Sequence, residues 1–298
     1  MTRRAVVTGA GGFVGVHLVR RLQADGWDVT SLVRPGGSPA PGRSVEVDLT
    51  DPVATADAVR AADPDAVLHL AAARAKATPA ERLATAAVNT TSGLAVVEGA
   101  GDRCRVVVRL GSSTEYAESD GPMDEDVPLR PRGFFGATKA AGSLLVAAAA
   151  AERGLRSAVL RAFQVYGAGD HPGRFVPAVL RAARTGEPLP LTGPGLRRDW
   201  VHVDDVVEAC VRAVEADDLP TGTVLNVGTG VQTANEKLVA VAERVTGRRI
   251  SVRPGAHPGR GWDAASWVCD PSRAEQLLGW RATTDLEAGL RRTWEQSP

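Results

Sequence analysis

The sequence has few cysteines, few tyrosines and no excess of charge. Its 298 residues include three cysteines, two tyrosines, and 35 basic side chains against 35 acidic ones. Cys104, Cys210 and Cys269 are odd in number and lack C-x-x-C spacing, which argues against a disulfide framework or a zinc site. We therefore expect a cytoplasmic protein without a metal. A chain with cancelled charge lacks the basic footprint of nucleic-acid and anionic-membrane binders, so we expect a small-molecule partner instead.

Long hydrophobic runs and lysines are also scarce. The longest apolar run, 144–151, is far shorter than the ~20 residues that span a bilayer, and no apolar segment follows the N-terminal arginines, so we expect neither a membrane segment nor export. The lysines are Lys76, Lys139 and Lys237, beside 32 arginines. An ammonium is compact and titrates more easily than a guanidinium, which makes each lysine a candidate for a role that arginine cannot fill.

Short apolar runs alternate with helical patterns through the first half of the chain. Strands are predicted at 5–8, 29–33, 45–47, 66–70, 106–110 and 158–160, and helices at 14–25, 55–62, 80–100 and 135–153. This alternation predicts an α/β fold with a doubly wound parallel sheet, covered by helices on both faces.

The pattern changes near residue 166. A segment rich in glycine and proline, 167–195, precedes a helix at 206–214, a strand at 224–227 and a terminal helix at 286–294. We predict one domain over 1–165, to which the chain returns at about 203–227, and a smaller, less regular C-terminal domain over 166–298. A cleft between them is the expected substrate site.

A glycine-rich turn follows the first predicted strand and opens the first helix. Gly9, Gly12 and Gly15 give the spacing G-x-x-G-x-x-G. Glycines let the backbone approach a pyrophosphate, and the helix N-terminus at Phe13 and Val14 supplies N–H donors. The turn therefore predicts dinucleotide binding, and a purely structural turn is the alternative.

The end of the second strand indicates which dinucleotide binds. NAD sites usually place an acid there, whereas this sequence has Leu32-Val33-Arg34. Arg34 therefore favours NADPH/NADP, and a solvated surface arginine is the alternative. Asp48 and Leu49 follow the third strand and are expected beside the adenine; Asp48 could equally cap the next helix.

Seven ordered blocks resemble the extended short-chain dehydrogenases/reductases, which include nucleotide-sugar epimerases and dehydratases. They are the glycine turn, 65–72, Asn89, 111–113, 136–139, 160–167 and 198–205. The resemblance covers nearly the whole chain and implies a Rossmann domain for the cofactor and a small C-terminal domain for the substrate. It also implies cofactor contacts at Leu70, Ala71, Ala72, Phe163 and Val165, and a possible homodimer through the helices at 80–100 and 135–153.

By this resemblance Ser113 and Lys139 are catalytic, and Lys139 also holds the nicotinamide ribose. The family's tyrosine, four residues before its lysine, is replaced here by Phe135. Positions four apart share a helix face, so the ammonium normally lowers the pKa of the phenol from about 10. Phe135 keeps the ring without the proton.

The chain is then either a non-catalytic NADP sensor or an enzyme that tolerates the loss. General acid–base help contributes about 10²- to 10⁴-fold, whereas orientation contributes about 7 to 11 kcal/mol and needs no phenol. Reduction of a ketone suffers least, because water, Lys139 through Ser113, or a phenol on the substrate can supply the proton. Thr114 stands where the family's dehydratases carry an aspartate, and cannot act as their acid.

The missing tyrosine and Arg34 also resemble the atypical ketoreductases that tailor angucyclinone-type antibiotics. This resemblance predicts an NADPH-dependent ketoreductase acting on an aromatic polyketide in antibiotic biosynthesis, with Ser113, Tyr116, Phe135 and Gln164 at the substrate and Tyr166 mainly structural. Trp262 and Trp267 could offer flat apolar surface to such a substrate.

Some residues favour a nucleotide sugar instead. Arg198 matches an arginine that contacts the substrate pyrophosphate in sugar-nucleotide enzymes. Against it, Gln164 replaces an asparagine, and 257–262 replaces the usual Arg-x-Gly-Asp stretch. The alternatives to the polyketide ketoreductase are therefore a nucleotide-sugar ketoreductase, epimerase or dehydratase, and the sensor.

Overall fold

A computed structural model describes residues 2–74, 78–192, 195–257 and 266–297. Lys76 and Trp262 lie outside the described residues. The strands are β1 Arg4–Thr8, β2 Asp28–Val33, β3 Arg43–Glu46, β4 Ala66–His69, β5 Val106–Ser112, β6 Arg156–Ala162, β7 Gln164–Tyr166, β8 Leu189–Pro190, β9 Arg197–His202, β10 Thr223–Val227, β11 Gln232–Ala234 and β12 Val252–Arg253. The helices are α1 Phe13–Ala24, α2 Pro52–Ala62, α3 Pro79–Asn89, α4 Thr91–Gly99, α5 Phe134–Glu152, α6 Phe175–Thr185, α7 Val203–Glu215, α8 Asn235–Thr246, α9 Ser272–Leu278 and α10 Leu286–Gln296, with a 3₁₀ turn, η1, at Ser113–Glu115.

The large sheet has seven parallel strands in the order β10-β6-β5-β4-β1-β2-β3. Successive residues face opposite sides of it: Val7 packs with α1 and α7, and Val6 packs with α2, α4 and α5. The predicted α/β fold of Rossmann type is confirmed. The strand order reverses between β1 and β4, and ligands of such sheets bind at the carboxyl ends of the strands at this point.

The prediction of a single helix at 80–100 is wrong. It is divided at Thr90 into α3 and α4. The hydroxyls of Thr90, Thr91 and Ser92 donate to the carbonyls of the residues four before them, at 2.6, 3.0 and 2.6 Å. Side chains that bond back in this way compete with the helix ladder and bend it.

The second half of the chain builds its own smaller core. A three-stranded sheet, β11-β9-β7, lies against α6, α8 and α10, and the parallel pair β12-β8 flanks it. Helix α6 lies inside 167–195, where we expected irregular structure; Val176, Val179, Leu180 and Ala183 give it one buried face. The domain limits 1–165 and 166–298 stay a prediction.

Helix α5 is the most apolar helix described. By length and composition it could cross a bilayer, which is weak indication for a single helix. About half of it is buried inside the molecule, where it packs against β5, β6 and α4. Its buried side carries Thr138, Lys139 and Ser143, so this helix contributes polar groups to the interior.

Candidate active site

One cleft of about 1590 Å³ brings all the predicted site residues together. It runs from the turn after β1, past the ends of β2, β4 and β5, to the wall formed by β9 and α6. These residues are Gly9, Gly12, Phe13, Val14, Arg34, Asp48, Leu49, Leu70, Ala71, Ala72, Ser113, Tyr116, Phe135, Lys139, Phe163, Gln164 and Val165. Their individual roles stay predictions.

The glycine turn leaves a cradle that side chains would fill. Gly9 has φ +67°, and a Cβ there would lie 2.8 Å from the backbone of Ala71. A Cβ on Gly15 would lie 2.2 Å from the Gly9 carbonyl. Helix α1 begins after Gly12 with neither a capping side chain nor an acid in its first turn. Its first N–H groups therefore face the cleft with a partial positive charge, which fits a pyrophosphate.

The loop after β4 is fixed from two sides. Thr8 Oγ1 lies 2.8 Å from His69 Nδ1 and accepts from the Ala71 N–H. The Asn89 amide exchanges two hydrogen bonds with Ala73, 2.8 and 2.9 Å long, and donates a third to Thr138 on α5. Asn89 thereby joins the predicted cofactor wall to the helix that carries Lys139.

Arg34 and Asp48 lie at the end of the cleft beyond β2 and β3. Both are exposed. Asp48 accepts from the N–H and hydroxyl of Thr50, which lowers the pKa of its carboxyl. The alternative of Asp48 as a helix cap is wrong, because Asp51 caps α2 through the N–H groups of Val53 and Ala54.

Ser113, Phe135 and Lys139 meet in the wall formed by η1 and α5. Ser113 is 5% exposed, and its hydroxyl has no hydrogen-bond partner among the described residues. Phe135 is half-buried, with the Arg74 guanidinium 4.9 Å from its ring centre. Lys139 is 2% exposed, and its Nζ atom donates to the Leu110 carbonyl. Burial, followed by the charge of Arg109, lowers the pKa of Lys139 to about 7.

Three further residues behind this wall were not predicted. Arg109 lies on β5, wholly buried, and donates to the Asn89 carbonyl at 2.6 Å. Glu115 is wholly buried and pairs with Arg161 at 3.0 Å. Arg109 stands inside the apolar run predicted as a buried strand, which was a signal for an internal charge.

The Glu115 carboxylate and the hydroxyls of the two tyrosines are buried in the protein interior. The Glu115 oxygens accept from the Ser112 N–H, the Ser143 hydroxyl and Arg161. The Tyr116 hydroxyl donates to Asn226 at 2.6 Å, and burial raises its pKa, so its predicted substrate contact is confined to other parts of the side chain. Tyr166 is buried in the second core.

The opposite wall comes from the second half of the chain. Gln164, Arg198 and Trp200 line it, with Arg174 and Phe175 at the start of α6. The rings of Phe175 and Trp200 are 5.7 Å apart. Trp267 also lines the cleft and packs against Tyr116 and Phe163. Within the described ranges, no three His, Cys, Asp or Glu side chains cluster as metal ligands.

Residues 5–228 match the model of the NAD dependent epimerase/dehydratase family. The chain belongs to this family. Its members are enzymes, by the family's own description. A UDP-glucose 4-epimerase of Mycolicibacterium smegmatis is 30% identical over 98% of this chain and 97% of its own. A dTDP-glucose 4,6-dehydratase of the same organism is 31% identical, over 96% and 91%.

Solved structures extend the family likeness. The structure described as MoeE5 in complex with UDP-glucuronic acid and NAD has a TM-score of 0.87 and 33% identity, over 98% of both chains. A UDP-glucose 4-epimerase from Thermus thermophilus in complex with NAD has a TM-score of 0.85 and 27% identity, again over 98% of both chains.

These relatives overturn the predicted function. The expected ketoreductase of aromatic polyketides in antibiotic biosynthesis is wrong, because the similar proteins are named as epimerases and dehydratases of UDP- and dTDP-glucose. The nucleotide-sugar alternative is the one that they favour. The polyketide prediction rested on Phe135 and Arg34, and these two residues concern the proton source and the cofactor, respectively.

Proposed function

We propose that this chain binds a nicotinamide dinucleotide and a nucleoside-diphosphate sugar in its cleft and interconverts a CH–OH and a C=O group of the sugar. The observation that carries the proposal is the lining of one cleft by the glycine turn, by Ser113 with Lys139, and by Arg198 with Trp200. The proposed sites for the cofactor, for the reaction and for an anionic substrate therefore adjoin one another in this cleft.

The cofactor half fits a dinucleotide. Gly9, Gly12 and the first N–H groups of α1 would hold the pyrophosphate, Asp48 and Leu49 the adenine, and Lys139 the nicotinamide ribose. When bound, the dinucleotide supplies a hydride donor or acceptor. Ser113 would orient the sugar oxygen, because its buried hydroxyl faces the cleft without a protein partner among the described residues.

The site favours epimerase or ketoreductase chemistry over dehydration. A dehydratase must also protonate a leaving hydroxyl and remove a second proton. Glu115 is enclosed by Arg161, Ser143 and the Ser112 N–H, and Thr114 has no acidic proton at neutral pH. These two residues are therefore poorly suited to those steps, which supports hydride exchange at one carbon over dehydration.

Arg34 supports NADPH as the preferred form of the cofactor. It lines the cleft at the end of β2, where no carboxylate follows the strand to accept a ribose 2′-hydroxyl. NADPH favours reduction, so a nucleotide-sugar ketoreductase is the second candidate function.

Residues in the second half of the chain, 166–298, support its predicted role as the substrate domain. Arg198 would pair with the substrate diphosphate, and Trp200 with Phe175 offers an aromatic wall for the base. Exposed Leu83 on α3 with Leu144 and Leu145 on α5 support the possible homodimer through these helices.

The test is turnover of defined nucleotide sugars. The purified chain is incubated with UDP-glucose, UDP-glucuronic acid or dTDP-glucose and NAD⁺ or NADP⁺, and with 4-keto derivatives and NADPH, and products are followed by NMR. We expect turnover of at least one nucleotide sugar, with Arg198→Ala raising KM at least tenfold. Arg197→Ala, the neighbouring exposed arginine outside the cleft lining, is the matched control. Tight cofactor binding without turnover of any nucleotide sugar would refute the proposal in favour of the sensor.

A further inference from the structure

Arg109 is a cation held inside the molecule with little to neutralise it. It is 0% exposed, and its guanidinium makes one hydrogen bond, to the Asn89 carbonyl. Its Nε and Nη1 atoms have no partner among the described residues. Buried donors are almost always paired, so an arginine with two unpaired donors calls for a specific explanation.

Two helical glycines make the space for this guanidinium. A Cβ on Gly142 of α5 would lie 2.3 Å from Arg109 Nη2, and one on Gly93 of α4 would lie 2.9 Å from Nη1. Glycine inside a helix is unfavourable compared with alanine. The fold therefore accommodates Arg109 at the expense of both helices that cover it.

Lys139 is the titratable group next to this guanidinium. It lies three residues before Gly142, on the same face of α5, and its Nζ donates to the carbonyl of Leu110, the neighbour of Arg109. The other charged or titratable groups that face it are Glu115 on η1 and His69 on β4. Glu115 is held by Arg161 and its charge offsets only part of the lowering of the Lys139 pKa, and burial lowers the pKa of His69, which favours its neutral form.

Two buried cations without a carboxylate of their own cannot both keep their charge at low cost. A guanidinium does not lose its proton in proteins, whereas an amine does. Lys139 is therefore the residue that loses its proton. Unlike Arg109, it lines the cleft.

We propose that Arg109 is a positioning residue that keeps a substantial fraction of Lys139 in the uncharged amine form at neutral pH, so that this amine exchanges the proton of the sugar hydroxyl in place of a tyrosine at position 135. The proposal rests on the proposed function. It removes the main difficulty of that function, because oxidation of a sugar hydroxyl needs a base that Phe135 cannot supply.

The step balances as follows. The hydroxyl proton of the sugar moves to the free electron pair of the Lys139 nitrogen, directly or through the Ser113 hydroxyl. The hydride of the same carbon moves to the oxidised nicotinamide dinucleotide. The products are a ketone, the reduced dinucleotide and the Lys139 ammonium; reduction returns both the proton and the hydride.

The scarcity of lysine makes the amine directly observable. The chain is labelled with [¹³Cε]lysine, which gives three side-chain signals, and Lys139 is assigned by comparison with Lys139→Met. Titration followed by NMR then measures its pKa in the folded protein without any substrate. We expect a midpoint near 7 for Lys139, far below the ~10.4 of a lysine in an unstructured peptide.

The variant Arg109→Met tests the role of the guanidinium. We expect the Lys139 midpoint to rise by about one unit, because a nearby positive charge no longer opposes protonation. The pKa that governs the acidic limb of kcat in the oxidation direction should rise by the same amount, so that kcat falls about fivefold at pH 7 and recovers near pH 9. Arg109→Gln, which can still donate to Asn89, replaces it if Arg109→Met does not fold.

The matched control is Arg153→Met. Arg153 also donates to main-chain carbonyls of α4, those of Val97 and Ala100, and it lies outside the cleft lining. It should lower stability without moving the Lys139 midpoint. A wild-type midpoint near 10, or one that stays in place in the Arg109 variants, would overturn the inference even if nucleotide sugars are turned over. Failure of turnover with the expected midpoints would refute the proposed function alone.

Discussion

The Arg74 guanidinium lies over the ring of Phe135, with 4.9 Å between its central carbon and the ring centre. Cations are attracted to the face of an aromatic ring, so this contact fixes the ring on the wall of the cleft. A ring without an ionisable proton thus lies one helical turn before Lys139, whose pKa is lowered by burial and by Arg109.

Phe135→Tyr should change kcat by less than about threefold. An ammonium favours the phenolate of a neighbouring tyrosine, but the uncharged Lys139 amine gives little such help, so the new phenol would keep a pKa near ~10. Steady-state rates with a nucleotide sugar that the enzyme turns over provide the measurement. A rise of a hundredfold would show that the missing phenol, and not Lys139, limits the reaction.

Arg34→Ala should weaken NADPH binding about tenfold or more while leaving NADH within about twofold. A guanidinium at this place can make charge-assisted bonds to a 2′-phosphate and none to a 2′-hydroxyl with comparable strength. Isothermal titration with both cofactors measures the difference. Arg43→Ala, an exposed arginine on β3 outside the cleft lining, should leave both affinities unchanged. Equal losses of affinity for NADPH and NADH would show that Arg34 does not recognise the 2′-phosphate.

Gly9→Ala should abolish cofactor binding and lower the free energy of unfolding by about 2 kcal/mol or more. The added Cβ would meet the Ala71 backbone at 2.8 Å in a left-handed residue, and both chain segments would have to move. Fluorescence titration and chemical denaturation measure the two effects. Gly101→Ala meets open space and should change neither. Retention of normal cofactor affinity in Gly9→Ala would refute the cradle.

Lys139→Met should stabilise the protein at low pH. The pKa of Lys139 is lowered from 10.5 to about 7, so the unfolded chain binds the extra proton between these values. The lysine therefore destabilises the fold fully below pH 7, and the effect disappears as the pH rises toward 10.5. Replacement by methionine should raise the free energy of unfolding by up to about 4 kcal/mol at pH 6, less ~1 kcal/mol for the lost bond to Leu110.

Denaturant unfolding at pH 6 and pH 10 measures this gain. It should shrink to about zero or below at pH 10. A gain that is the same at both pH values would mean that methionine packs better and that the lysine charge is not involved.

Local spacing was enough to find most of the cleft. The glycine turn was predictable because it depends on a short stretch of chain between a strand and a helix, whereas Ser113 and Lys139 were predicted from the family resemblance of 111–113 and 136–139. Position 90 was harder, since the apolar periodicity runs through α3 and α4 and three hydroxyls bend the chain. Helix α6 was hidden by the glycines and prolines on both sides of it.

The buried charges could not be predicted from the sequence. Glu115 and Arg161 are 46 residues apart, and their pairing depends on β5 lying beside β6. Arg109 was visible as a charge inside an apolar run, but its relation to Lys139 and Gly142 exists only once α5 covers the sheet. The polyketide substrate was predicted from the resemblance carried by Phe135 and Arg34, although Arg198 already favoured the nucleotide-sugar alternative that the relatives support.

The three hydrogen bonds of the Asn89 amide have a mechanical consequence. They tie Ala73, in the loop beside the cofactor wall, to Thr138, one residue before Lys139. Separation of Ala73 from α5 must break either the two Ala73–Asn89 bonds or the single Asn89–Thr138 bond. The position of this loop is thereby coupled to that of the helix turn that carries Lys139, and hydrogen exchange of the Ala73 amide would report the breaking of the Asn89 bonds.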